Sequence, residues 1–173
     1  IIISTILLFF LIPFFYLKFF DFFRFYKENL QIILFFFVLC ASILLIDRYF
    51  YDLLNFDSNL GGGIFLKALK ILNLDYELIL ISIFYISVLV IDYIFKENRC
   101  RNYILFAILI LCFPMPIIYQ KYLDPLFFII FFGLIKSETI DSMVKVKGYN
   151  LMLIYTYFGS FLLLSTLFYK LSN

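Results

Sequence analysis

The chain has 173 residues, of which 65% are hydrophobic and only 15% charged, and its mean hydropathy is +1.06. Soluble domains are about 45–50% apolar and about 25% charged, so this chain has too little polar surface to cover a globule in water. The same composition excludes a disordered chain, and the net charge of +2 does not favour a nucleic-acid partner. With three cysteines and no histidine, we predict neither a disulfide scaffold, a metal site nor a cofactor. The sequence therefore predicts an all-α, polytopic transmembrane helical bundle whose main partners are membrane lipids.

The start of the chain lies inside an apolar run, Ile1-Ile2-Ile3, with no methionine. A secretory leader would have a basic segment and a small-residue cleavage site, and neither is present. We therefore expect residues 1–173 to form a single transmembrane helical domain that is the C-terminal part of a longer chain.

A helix that crosses a bilayer needs about 20 mainly apolar residues. Six stretches are predicted to cross: Ile1–Phe20, Leu30–Ile46, Glu77–Phe95, Asn102–Ile118, Pro125–Ile135 and Leu151–Tyr169. The fifth has only 11 residues and crosses only if its helix continues back through Tyr119. The long loop between the second and third spans contains Gly61-Gly62-Gly63, a flexible turn, and then Ile64–Leu72. We interpret this last segment as a short interfacial or re-entrant helix.

Six alternating spans place the connectors 21–29, 96–102 and 136–150 on one side, here called side A. Side A then carries nine of the 14 basic residues, and the other side, side B, carries five. The acidic residues divide six and six, so side A has a charge of +3 and side B of −1. Because cytoplasmic loops are enriched in Lys and Arg, we predict that side A faces the cytoplasm. The membrane would be a bacterial inner membrane or an organelle membrane.

The polar residues singled out as a candidate binding site fall on side B: Arg48, Gln120, Lys121 and Asp124. Charges at or within the apolar layer cost several kcal/mol unless they are paired or hydrated, so they are functional candidates. Lys121 and Asp124 are three residues apart and would share one helix face. The alternative interpretation, which the pattern slightly favours, is a helix end where Lys121 reaches the membrane surface and Asp124 precedes a new helix. Asp92 is interpreted as an i,i+4 partner of Lys96 rather than as part of a proton pathway.

A glycine-rich loop on side B and a later proline-rich break are followed by the segment Tyr119-Gln120-Lys121-Tyr122-Leu123-Asp124-Pro125. This layout resembles the C-terminal half of polytopic GT-C-type glycosyltransferases. The resemblance implies transfer of a sugar from a polyprenyl-phosphate donor on the non-cytoplasmic face. It also implies that Lys121 contacts the donor phosphate, while Gln120 and Asp124 bind sugar hydroxyls. The acidic base of such enzymes lies near their N-terminus, so the catalytic residue is expected upstream of this sequence.

Other classes remain open from the sequence. A non-catalytic multi-pass subunit, for example of a respiratory complex, would show buried mid-helix charges or a cofactor site, whereas the charges here lie at helix ends. An envelope-polysaccharide polymerase or flippase would need long arginine-rich external loops, and only residues 49–76 approach one. A transporter would be supported by an internal repeat, and residues 1–95 and 96–173 show no convincing one.

Overall fold

The computed structural model describes residues 1–46, 64–65, 68–69, 76–112, 126, 129–145 and 148–172. Within these ranges the protein is all-α, as the composition predicts, and no strand is present. A 3₁₀ turn lies at Tyr16–Lys18, and Ile129–Leu134 is a π-helix. The α-helices are α1 (Ile2–Phe15), α2 (Phe19–Glu28), α3 (Leu30–Ile46), α4 (Tyr76–Phe95), α5 (Arg99–Leu111), α6 (Glu138–Val144) and α7 (Tyr149–Ser172).

Helix α1 is the centre of the bundle. Every residue from Ile2 to Leu11 is buried, and burial on all sides suits a helix that is apolar on nearly all of its faces. It packs most extensively against α4 and also against α7, where the Tyr157 hydroxyl donates a hydrogen bond of 3.1 Å to the Phe9 carbonyl. The first predicted span, Ile1–Phe20, was expected to be interrupted at Pro13, and in the structure Pro13 lies inside α1 while the interruption comes two residues later. The α-helix ends at Phe15, and the charged α2 begins at Phe19.

Helix α2 is amphipathic and lies at 92° to α3. Phe22 and Tyr26 form its buried face, and its acidic and basic residues alternate with exposed phenylalanines. The bend occurs at Asn29, whose side-chain amide donates a 2.8 Å hydrogen bond to the Phe25 carbonyl and so satisfies part of the end of α2. If α3 crosses a membrane, α2 lies along its surface, as amphipathic interfacial helices do.

Helices α3, α4 and α5 run alternately up and down. Cys40 of α3 packs against Ile81 and Phe84 of α4, and the Tyr85 hydroxyl lies 3.4 Å from the Ile33 carbonyl, which fixes the antiparallel pairing. Within the described ranges, one helix is by itself long and apolar enough to cross a membrane, the segment Leu78–Phe95 of α4. A second candidate is the bent pair of α2 and α3.

The later part of the chain differs from expectation at two places. Residues 136–150, predicted as a polar loop, contain α6, whose Thr139 and Ile140 are buried. The chain then turns at Gly148, which has φ +66°, a backbone conformation that glycine adopts without strain. Helix α7 follows with 24 residues and is longer than the predicted span Leu151–Tyr169.

The helix directions place the three side A connectors at the same end of the bundle. The connector after α4 contacts the residues before α6, since the Asn98 and Asn102 amides donate to the Lys136 carbonyl at 3.4 and 3.2 Å. The opposite end, side B, is where α3 ends, α4 begins and α5 ends.

Candidate functional site

The residues that the sequence singled out as a site lie outside the described residues: Arg48, Gln120, Lys121 and Asp124. The Gly61-Gly62-Gly63 turn lies outside them as well, and of the segment Ile64–Leu72 the structure describes four residues, among which Leu69 is buried beside Leu80. The assignment of these residues to a binding site therefore stays a prediction. The helices that precede these residues in the chain end on side B, α3 at Ile46 and α5 at Leu111.

The most deeply buried charged side chain among the described residues is Asp92, near the side A end of α4. Asp92 is only 3% exposed. Its Oδ1 accepts a hydrogen bond of 2.8 Å from the Tyr103 hydroxyl, and its Oδ2 lies 3.3 Å from the Arg99 guanidinium. The second oxygen is also 3.3 Å from the Tyr26 hydroxyl. A buried carboxylate needs such partners, because an unpaired charge away from water costs several kcal/mol.

Tyr26 connects α2 to this carboxylate and to the backbone of α4. Its hydroxyl has a single proton, which it donates to the Leu89 carbonyl at 2.7 Å, with Asp92 as the longer second acceptor. Burial raises the pKa of the Tyr26 phenol well above its usual value near 10, and the nearby Asp92 charge raises it further. Tyr26 therefore stays a neutral donor at any physiological pH.

The predicted pairing of Asp92 with Lys96 is wrong. Helix α4 ends at Phe95, and the Lys96 amide donates to the Tyr93 carbonyl at 3.5 Å in a tight turn, so Lys96 leaves the helical line on which i,i+4 side chains meet. Its ammonium instead lies 4.3 Å from the centre of the Tyr93 ring and 5.7 Å from that of Phe25, a cation–π arrangement. Arg99, at the start of α5, takes the place predicted for Lys96.

A polar cleft of about 530 Å³ opens on side A between α2, the α4–α5 turn and α6. Three basic, four acidic and two hydroxyl side chains line it together with two aromatic rings, and both signs of charge are thus present: Lys18, Asp21, Arg24, Phe25, Glu28, Tyr93, Lys96, Glu97, Glu138, Thr139 and Ser142. Lys18 and Asp21 form an ion pair of 3.8 Å within the cleft. Since these side chains come from all three side A connectors, the polar cleft is where those connectors meet.

The turn before α6 is held against α5 by buried polar groups. Asn102 is fully buried and donates to the Lys136 carbonyl, and the Glu97 carboxylate accepts from the Glu138 amide at the first turn of α6. Among the described residues, the Asn102 side-chain oxygen and the Ser137 hydroxyl are buried and have no hydrogen-bond partner. Buried polar atoms of this kind usually hold an ordered water, so this junction is polar as well as closely packed.

The described residues bring together charged and hydroxyl side chains that can bind a polar or charged ligand. Among the residues that the structure describes, no three carboxylates or thiols come together as a metal site. Sequence spacing did not reveal the partners of Asp92, since Tyr26 lies 66 residues away and Tyr103 lies 11 residues away across a turn. The sequence feature that could have revealed this cluster is Asp92 itself, a carboxylate within a largely apolar helix.

Comparison of the chain with models of protein families, with curated proteins and with solved structures gives no match.

Proposed function

We propose that this chain is a multi-pass integral membrane protein and the transmembrane helical part of a glycosyltransferase that takes a sugar from a lipid-phosphate donor on the non-cytoplasmic face. The observation that carries the membrane assignment is the apolar outer surface of α3 and α7. Their exposed side chains include Leu30, Leu34, Phe35, Phe37, Val38, Leu151, Met152, Tyr155, Leu162, Leu163 and Leu164. Many exposed apolar side chains on two helices are unfavourable in water and match the hydrocarbon core of a bilayer.

The helix directions support alternate crossings. The connectors rich in Lys and Arg meet at side A, around the polar cleft, and the positive-inside rule then assigns that end to the cytoplasm. Helices α3 and α5 leave the bundle at the other end, at Ile46 and Leu111. In the proposed topology this end is non-cytoplasmic, and α3 and α5, which precede Arg48 and Lys121 in the chain, both end there, which supports one shared site for these residues.

The glycosyltransferase assignment rests on the resemblance of residues 119–125 and on the chemistry of their side chains. In the proposed site, Lys121 neutralises the donor phosphate as a compact cation. In this site the Gln120 amide donates to and accepts from sugar hydroxyls, the Asp124 carboxylate accepts from them, and Arg48 lies beside them on side B. A carboxylate other than Asp124 deprotonates the acceptor hydroxyl.

The membrane part of the proposal is tested by thiol labelling in sealed, right-side-out vesicles. Cys100 is exposed at the side A end of α5, whereas Cys40 is buried. In a C40S/C112S background, a membrane-impermeant maleimide should label Cys100 only after the vesicles are opened. A Cys-free background with Asp57→Cys should be labelled from outside. Labelling of both positions from the same side overturns the alternating topology.

The enzymatic part is tested by transfer of radiolabelled sugar from a panel of polyprenyl-phosphate hexoses in membranes that contain the full-length protein. Lys121→Ala should lower transfer per folded molecule about ten- to a hundredfold, because a hydrogen bond to a charged group contributes about 1.5–3 kcal/mol. Lys145→Ala, an exposed lysine on side A, is the matched control and should leave transfer unchanged.

Equal transfer by the wild type and Lys121→Ala refutes the site. If the labelling pattern alternates but no donor supports sugar transfer, the chain is a multi-pass membrane subunit without transferase activity. The two experiments therefore separate the membrane assignment from the assignment of the reaction.

A further inference from the structure

A second cavity, here called the lateral groove, opens sideways between α3 and the α4–α5 pair. Its volume is about 420 Å³, and its lining is mainly apolar, with polar groups at one end only. The walls are Ile32, Phe35 and Phe36 of α3, and the polar end is formed by Gln31, Arg99 and Tyr103 beside the buried Asp92. The lateral groove does not share a lining residue with the polar cleft.

The polar end presents a positioned cation. The Arg99 side chain is 45% exposed, and one of its terminal nitrogens is held 3.3 Å from Asp92. A guanidinium has five N–H donors in a planar fork, so the interaction with Asp92 orients the group and leaves donors for a second anion. The Asp92 carboxylate itself is 5% exposed and accepts from Tyr103, so a ligand in the groove contacts the cation more readily than the carboxylate.

In the proposed orientation, the groove extends from the membrane surface into the cytoplasmic leaflet. Gln31 and Arg99 lie in the first turns of α3 and α5, at the side A end, and Phe36 is five residues further along α3. At 1.5 Å per residue, the aromatic wall therefore extends about 8 Å deeper than the charged end. A ligand that matches this change from charged to apolar lining has an anionic group at the surface and a hydrocarbon chain below it.

We propose that the lateral groove binds an anionic glycerophospholipid of the cytoplasmic leaflet, with the headgroup phosphate at Arg99 and an acyl chain along Phe35 and Phe36. Basic pockets between membrane helices on the cytoplasmic side recognise anionic lipid headgroups in this way. The charged end of the groove lies in the first turns of α3 and α5, at side A, and this distinguishes the lipid from a sugar donor bound near Lys121 on side B. The inference rests on the membrane orientation proposed above and is independent of the transferase reaction.

The test is native mass spectrometry of the full chain extracted from vesicles of phosphatidylglycerol and phosphatidylcholine in equal amounts. The wild type should retain phosphatidylglycerol in preference to phosphatidylcholine. Arg99→Gln should lower that preference about fivefold, the effect of one basic residue on an anionic lipid. Arg101→Gln is the matched control, because it makes the same change of charge two residues further along α5, outside the groove, where Arg101 contacts the Leu134 carbonyl.

Because Arg99→Gln leaves Asp92 without its ion-pair partner, two further variants keep the test decisive. Asp92→Asn/Arg99→Gln removes both charges together and should lose the preference in the same way. Ile32→Trp fills the apolar part of the groove, leaves Arg99 in place and should also reduce retention.

A preference that survives Arg99→Gln or the double variant, or that Arg101→Gln lowers equally, overturns the proposal in favour of general surface charge. Retention unchanged by Ile32→Trp overturns the groove as the site. A chain that fails to enter vesicles contradicts the membrane assignment instead, so the two failures are distinguishable.

Discussion

The hydrogen bonds of Asp92 give a quantitative prediction about which partner stabilises this carboxylate. Tyr103 donates to Oδ1 at 2.8 Å from a half-buried position, whereas Arg99 contacts Oδ2 at 3.3 Å with a side chain that is 45% exposed. A hydrogen bond to a charged acceptor contributes about 1.5 kcal/mol here, at the upper range measured within membrane bundles. An ion pair with one solvated partner contributes less than about 1 kcal/mol. The phenol should therefore be coupled more strongly to Asp92 than the guanidinium is.

The measurement is a pair of double-mutant cycles, Asp92→Ala with Tyr103→Phe and Asp92→Ala with Arg99→Gln. Unfolding in mixed micelles is followed by far-ultraviolet circular dichroism, since the chain has no tryptophan. Tyr85→Phe serves as control, because its hydroxyl lies 3.4 Å from the Ile33 carbonyl and should contribute about 0.5 kcal/mol or less. A coupling energy for Arg99 that equals or exceeds that for Tyr103 would refute the argument from distance and exposure.

Two further predictions concern the core and pH. Leu7→Ala should lower the free energy of unfolding by about 2–5 kcal/mol, because Leu7 is fully buried in α1; Leu34→Ala, at a position 62% exposed on α3, should change it by less than about 0.5 kcal/mol in the same detergent. Burial raises the pKa of the Tyr26 phenol above about 10, the pKa that it has in the unfolded chain. The contribution of Tyr26 to stability is therefore complete below about pH 10 and is lost as the pH rises toward the pKa in the folded chain. The difference in melting temperature between wild type and Tyr26→Phe should thus be constant from pH 7 to 9 and fall above pH 10; a constant difference up to pH 11 would contradict it.

Hydropathy along the chain was sufficient to predict the helical class and several helices. The predicted span Leu30–Ile46 coincides with α3, and Glu77–Phe95 differs from α4 by one residue at its start. These boundaries are readable because charged residues adjoin apolar runs, and the free energy of placing each side chain in water or hydrocarbon depends mainly on the side chain itself.

Hydropathy did not predict where α1 ends, nor the helix within residues 136–150. Residues 1–20 are almost uniformly apolar, yet the chain leaves the α-helix after Phe15 and starts α2 at Phe19. Residues 136–150 are polar overall, yet they contain α6, because two buried side chains, Thr139 and Ile140, suffice to hold a short helix against the bundle.

The candidate site on side B, at Arg48, Gln120, Lys121 and Asp124, comes from the sequence alone. The polar cleft and the lateral groove come only from tertiary structure, since each combines side chains from three separate segments. Which cation pairs with Asp92 was decided in the same way: spacing favours Lys96, but the end of α4 at Phe95 turns Lys96 onto the Tyr93 ring and brings Arg99 to the carboxylate. Hydropathy is a sum over single residues and can be read from the sequence. A hydrogen bond needs two atoms within about 3 Å of each other, and only the folded chain sets that distance.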